Sequence, residues 1–286
     1  MKKLALLVMV SSVLSSFSFA QDFSFSSGQQ DYTHERGSVL LIPWEGKMYL
    51  SDINREVHYR TGLEIDEIKR LFREGFCQVF AQEASEKWDV VDLVTEDNEG
   101  HLSDLEYAHA SVAYSYSKVP PPPKEKPDSK AKALLNRFTQ KEDPEQSGRG
   151  VSVNEGQIHT YYDEKERYMS TRVDNPELLP YLSEKYEYDY VVFLNELDIK
   201  VMRDHNVEHG QVWERRIKVH YSVFDAGGVE ITSGAAYAEY DGYEKDIFSI
   251  IRNNFDFPSQ NILSQMDVAI QALQTAESKA NDDDDY

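Results

Sequence analysis

Tyr188 to Val201 reads YDYVVFLNELDIKV, an apolar run that passes into alternation of apolar and polar residues. Val212 to Asp225 continues that alternation. Ile217, Val219, Tyr221 and Val223 share one face, and Lys218, His220 and Ser222 share the other. Ala226-Gly227-Gly228 supplies a turn, and Val229 to Tyr240 returns as a further strand. Period-two patterning bounded by turn residues predicts an antiparallel meander of three strands. On this reading His220 is a surface or cross-strand residue.

Upstream of the meander the periodicity changes. Ser38 to Pro43 (SVLLIP) is a continuous apolar run, the pattern of a buried central strand. Lys47 to Gly62 has no clean period and reads as a long loop. Ile65, Ile68, Phe72, Phe76, Val79 and Phe80 recur at three- and four-residue spacing, which predicts an amphipathic helix over 63–86. Trp88 to Val94 (WDVVDLV) reads as a second strand. Ser103, with Glu106 at the capping-box position, is expected to cap a helix carrying Leu105, Ala108, Val112 and Tyr116. Asn175 to Tyr186 reads as a short helix with Pro176 in its first turn. Lys245 to Phe255 reads as another, and Ser259 is expected to cap the last, with Ile262, Leu263, Met266, Ile270 and Leu273 as its stripe. The predicted fold class is α/β (α+β), a mixed β-sheet with a C-terminal antiparallel meander, flanked by helices.

The first twenty residues carry Lys2 and Lys3, an apolar stretch from Leu4 to Leu14, and Ser18-Phe19-Ala20 before a cleavage point. That order is a signal peptide, and it predicts an exported chain, periplasmic or secreted, cut after Ala20. Residues 21–37 read as a flexible leader, 38–118 and 158–279 as the two parts of one domain, and 280–286 as an acidic tail. Between the two parts, 119–157 opens on Pro120 to Pro123 and is rich in charged residues, the composition of a disordered insertion. No other segment has the apolar length of a membrane span, and the mature chain is expected to lack one. The chain has 286 residues, 40% hydrophobic, with 51 acidic against 30 basic side chains and a net charge of −21. Such a charge repels phosphate backbones and anionic membranes, so nucleic acid is excluded as a partner. Cys77 is the only cysteine, so the domain is expected to fold without an internal disulfide, with Cys77 a buried thiol.

Few residues point to chemistry. Counting from Thr95, Gly100 is sixth and Glu106 twelfth, the spacing of a calcium loop in which Asp97, Glu99 and Glu106 would be ligands. The first position holds Thr95 where that loop needs aspartate, and a strand precedes it. His205 and His209 lie between two strands beside Asp204 and Glu208, a weak metal-ligand set with no third ligand fixed by spacing. Tyr161, Tyr162, Tyr188 and Tyr190, with Tyr181 and Tyr186, crowd the middle of the chain and form a candidate ligand-binding group, since tyrosine offers an apolar face and a polar tip. There is no G-x-S-x-G elbow, no H-E-x-x-H and no glycine-rich phosphate loop. No catalytic residue and no cofactor is assigned.

The order of elements resembles the periplasmic α/β domain shared by the curli secretion channel, the lipoprotein activators of penicillin-binding proteins and the amino-terminal domain of the Tol translocation protein. The resemblance is carried by the apolar first strand, the long helix, the WDVVDLV strand, and Asp189-Tyr190-Val191-Val192 opening a hairpin that turns at Gly227 and Gly228. It implies a non-enzymatic envelope adaptor or regulator that binds another protein, in cell-wall or outer-membrane assembly. The alternative is a secreted glycan- or small-ligand-binding protein, or a hydrolase, using the tyrosine-rich segment and the acidic residues. Nothing in the sequence fixes the oligomeric state.

Overall fold

The computed structural model describes residues 36–94, 99–118, 150–154, 157–161, 166–202 and 214–283. The expected signal peptide, nearly all of the leader and residues 119–149 of the expected insertion lie outside the described residues. The strands are β1 (Gly37–Ile42), β2 (Tyr49–Ser51), β3 (Trp88–Asp92), β4 (Val112–Lys118), β5 (Gly150–Asn154), β6 (Gln157–Tyr161), β7 (Arg167–Val173), β8 (Tyr190–Met202), β9 (Glu214–Asp225) and β10 (Glu230–Asp241). The helices are α1 (Asn54–Thr61), α2 (Ile65–Ala84), α3 (Glu99–Ala110), α4 (Leu178–Tyr186), α5 (Ile247–Asn254) and α6 (Asp256–Asp283).

The main sheet runs β10-β9-β8-β1-β3, with β2 pairing to the far end of β8. β1 is parallel to both β3 and β8, while β8, β9 and β10 form an antiparallel meander. This is the mixed sheet that the patterning predicts. β1 is central because both of its faces are apolar. Val39 and Leu41 enter one core, Leu40 and Ile42 the other. On the first side α2 lays Ile68, Phe72, Phe76 and Phe80 onto Val192, Leu194, Ile217 and Val219, and α5 and α6 close the layer with Ile250, Ile262 and Met266. Each of these fully buried side chains stabilises the fold by about 1.5–3 kcal/mol. The helices approach closely at Gly75, where an added Cβ would stand 2.7 Å from Ile251. Cys77 is buried on the same helix, and burial pushes its thiol well up. On the second side, Leu105 and Ala108 of α3 and Leu178, Leu179 and Leu182 of α4 cover Leu40, Ile42, Val191, Phe193 and Phe224.

Four expectations need correction. The stretch 47–62 is not a loop: a 3₁₀ turn at Gly46–Met48, β2 and α1 occupy most of it. Tyr49, Ile53 and Val57 are its buried anchors, four residues apart but divided between β2 and the start of α1, and too few to show as a period. Ser103 lies inside α3, and Val112 and Tyr116 belong to β4 rather than to that helix. VAYSYSK alternates aromatic and small polar residues, and its β-propensity prevails over the helical spacing. β7 had no counterpart among the expected strands. Its pattern, RYMSTRV, buries only Met169 and Thr171 fully, with Val173 partly buried against the second core. Ser259 lies within α6, where its hydroxyl donates to the Phe255 carbonyl at 2.7 Å rather than capping. Among the described residues no helix is long and apolar enough to cross a membrane.

Candidate functional site

The second face of the main sheet divides in two. Its apolar half ends at Phe193 and Phe224, and beyond them the same face is polar. The change coincides with a break in register. Leu194 pairs with Tyr221 and Glu196 with His220, so Asn195 is an extra residue in β8. A bulge of this kind advances the alternation by one position. Asn195 and Glu196 therefore face the same way, followed by Asp198, against His220 and Ser222 of β9. All five are buried.

The antiparallel pair β4–β7 lies over this polar half and closes it. Its attachment is made of hydrogen bonds. The Met169 backbone N–H donates to His220 Nδ1 at 2.6 Å, and the Thr171 N–H donates to Ser222 Oγ at 2.9 Å. Asn195 Nδ2 donates to the Met169 carbonyl at 2.8 Å and to Ser222 Oγ at 3.1 Å. The Thr171 hydroxyl donates to Asn195 Oδ1 at 2.5 Å. From β4, the Tyr116 hydroxyl donates to Glu196 Oε2 at 2.6 Å, and its ring stands edge-on to His220 at 6.2 Å. Lys218 Nζ donates to the Arg167 carbonyl. Side chains of β8 and β9 thus supply β7 with the partners a neighbouring strand would have supplied.

The electrostatics follow from burial. Burial works to raise the Asp198 carboxyl, but the facing His220 and the Lys200 ammonium, 2.9 Å away, outweigh it and hold it below its ordinary value. Burial pushes the Lys218 ammonium down, against the pull of Glu166, Asp198 and Glu196. Burial and the bond to Glu196 raise the Tyr116 phenol, so it stays a donor.

Glu196, Asp198 and His220 bring their ligand-type atoms within 4.8 Å of one another, which invites a metal ion. The hydrogen bonds refuse it. A histidine that ligates through Nε2 leaves its lone pair there and donates the Nδ1–H to a partner. Here Nδ1 accepts a backbone N–H, so the ring proton sits on Nε2, the nitrogen facing the carboxylates. That Nε2 is 3.3 Å from Glu196 Oε1 and 3.9 Å from Asp198 Oδ2, without a well-aligned hydrogen bond to either. Lys200 and Tyr116 already engage the two carboxylates. The donor set does not fit a cation.

The residues singled out in the sequence fall elsewhere. Asp97, His205, His209 and Tyr162 lie outside the described residues. Glu99 begins α3 and Glu106 is exposed on it. Tyr161 ends β6. Tyr188 is buried in the second core, its hydroxyl donating to the Leu179 carbonyl at 3.1 Å. Tyr190 packs on the first core with its ring edge-on to Trp88 at 5.5 Å. The two tyrosines are thus on opposite sides of the sheet and form no common groove. Tyr181 and Tyr186 meet at Asp104, joined by Lys185 Nζ at 2.5 Å, beside an open hollow of about 630 Å³ between α3 and α4. His220 is not a surface residue: it is 1% exposed and cross-strand to Glu196. The alternation gave its face, but the cover came from β7, whose pairing partner lies 55 positions earlier in the chain at Ser115–Ser170.

No family model and no curated protein matches this chain. Among solved structures, a hypothetical protein from Chlamydia trachomatis aligns with a TM-score of 0.31 and 11% identity, over 83% of this chain and 95% of that one.

Proposed function

We propose that this chain is an exported, non-enzymatic adaptor or regulator of the cell envelope that binds another protein. One observation supports the reading above the others. On the polar half of the sheet face, Asn195, His220 and Ser222 are buried and engaged in holding β7, so they are not open to a substrate. Asn195, Ser222 and His220 Nδ1 each bond to the hairpin backbone or to Thr171. The cluster works as a clamp.

What the clamp holds is the base of the intervening segment. Lys118 at the end of β4 pairs with Arg167 at the start of β7, so both ends of the stretch between them leave side by side. That stretch contains Pro120 to Pro123, a proline run of the composition found in recognition motifs. A paired base from which a proline-containing segment departs suits binding to a protein partner. The signal peptide expected at residues 1–20 puts that partner in the envelope.

The test is capture from crosslinked cell envelopes with residues 21–286, in parallel with a chain lacking 119–157. One dominant envelope protein, lost on deleting the segment, is the expected result. A partner that survives the deletion would move binding to the folded body. No partner with either chain, together with a ligand-dependent rise in melting temperature in a glycan and small-molecule screen, would replace the proposal with a ligand-binding one.

A further inference from the structure

A second property follows from how the clamp is made, and it does not depend on what the arm binds. We infer that His220 is a buried proton-binding site that makes the attachment of the β4–β7 hairpin acid-sensitive. The Met169 N–H points at Nδ1 from 2.6 Å. A neutral imidazole has one lone pair, and this contact uses it. When the ring takes up a proton from solvent, Nδ1 becomes a donor too. Two N–H groups then face each other at a distance that only a donor–acceptor pair tolerates. The Met169 amide must leave, and β7 leaves with it.

The surroundings favour the charged ring once it forms. On β8, Glu196 and Asp198 face Nε2, and Lys200 is held by Asp198. On β9, Lys218 shares the polar face but directs its ammonium to the Arg167 carbonyl of β7, with the Tyr237 ring of β10 at 5.6 Å and the Glu166 carboxylate acting on it. On β4, Tyr116 donates to Glu196 and leaves Oε1 facing the histidine. The carboxylates thus offer an imidazolium its counter-charge, while the hairpin backbone opposes it. Protonation is compatible with the sheet and incompatible with the clamp. The sign follows: the open state binds the extra proton, so acid favours opening and the clamp closes again as pH rises.

Hydrogen exchange against pH, corrected for the intrinsic rate, reads this directly. On acidification from pH 7.5 to 5, protection of the Met169 to Thr171 amides is expected to fall, by up to about tenfold per pH unit where opening is coupled to uptake of one proton. Protection in β1 and β8 should hold. In His220→Asn the side-chain oxygen takes the place of Nδ1 and accepts the Met169 N–H without titrating, so the profile should be flat. A flat profile in the native chain, or an equal fall in both chains, overturns the inference. Should His220→Asn fail to fold, ¹⁵N NMR of the native protein decides. The expected state near pH 7.5 is the Nε2–H tautomer, with the Met169 amide signal moving as His220 titrates. An Nδ1–H tautomer, or stoichiometric Zn²⁺ binding that shifts the His220 signals, refutes the clamp chemistry.

Discussion

Asn195 is the residue whose removal tests the clamp most directly. Its side chain is 0% exposed and makes three hydrogen bonds, to the Thr171 hydroxyl, the Met169 carbonyl and Ser222 Oγ. Asn195→Ala takes the amide away. The Met169 carbonyl and the Thr171 hydroxyl then lose the partners it supplied, in residues that are 5% and 3% exposed. A buried polar group deprived of its partner costs about 1–3 kcal/mol, so the two together cost about 2–6 kcal/mol. Because both groups belong to β7, the loss should appear first as local opening. Protection of the Met169 to Thr171 amides is expected to drop by at least about 30-fold, the equivalent of roughly 2 kcal/mol, while β1 and the first core keep theirs. Thr171→Val preserves shape and removes only one of the bonds, and should cost about 1–2 kcal/mol in the same place. Urea unfolding at pH 7 supplies the global value. If Asn195→Ala changes stability by less than about 0.5 kcal/mol, the range of a neutral surface change, with β7 exchange unaltered, the network is not what attaches the hairpin.

Gly75→Ala should destabilise by about 1–3 kcal/mol, since the new methyl lies 2.7 Å from Ile251 and forces α2 and α5 apart; thermal melts of G75A and of G75A with Ile251→Ala, which should recover part of the loss, check this. Asp104→Asn should lower the melting temperature at pH 7 by an amount that shrinks on acidification. Burial works to raise the Asp104 carboxyl, but Lys185, Tyr186 and Tyr181 outweigh it and hold it below its ordinary value. A depressed carboxylate contributes fully above its unfolded value of about 3.9 and loses that contribution as pH falls through the folded one. The two melting curves should therefore converge in strong acid, and a difference independent of pH would refute the assignment.

The legible parts of this fold were those in which a segment's own pattern decides its neighbours. SVLLIP has no polar face, so it had to be central, and β1 lies between β3 and β8. Ile217 to Val223 alternates, so one face had to be core. The hidden parts depend on contacts distant in sequence. β4 and β7 are short and largely polar, and each looks like a surface strand until the other pairs with it. His220 and Ser222 look solvated for the same reason: their cover is a strand that the local pattern does not reveal. The tyrosines misled for a complementary reason. Tyr188 and Tyr190 are two residues apart, which in a regular strand puts them on one face, but Tyr188 precedes β8 and Tyr190 begins it, and they enter different cores.

The bulge at Asn195 can be compared with a β8 that lacks it. Without Asn195, β8 would read VVFLELDIKV, with Phe193, Glu196 and Asp198 on one face and Leu194, Leu197 and Ile199 on the other. That is regular alternation, with every remaining side chain on the face it occupies now. Sheet pairing alone therefore does not call for Asn195. Its presence interrupts the ladder with β9 and buries an amide, both unfavourable unless the amide is fully bonded. The compensation is three hydrogen bonds, of which those to Thr171 and to the Met169 carbonyl go to the hairpin. An irregularity that gives its own sheet one side-chain bond, to Ser222, and a neighbouring element two is accounted for by that element. The polar half of the face is thus organised around holding β7, which is why the adaptor reading rests on the hairpin and not on the carboxylates beneath it.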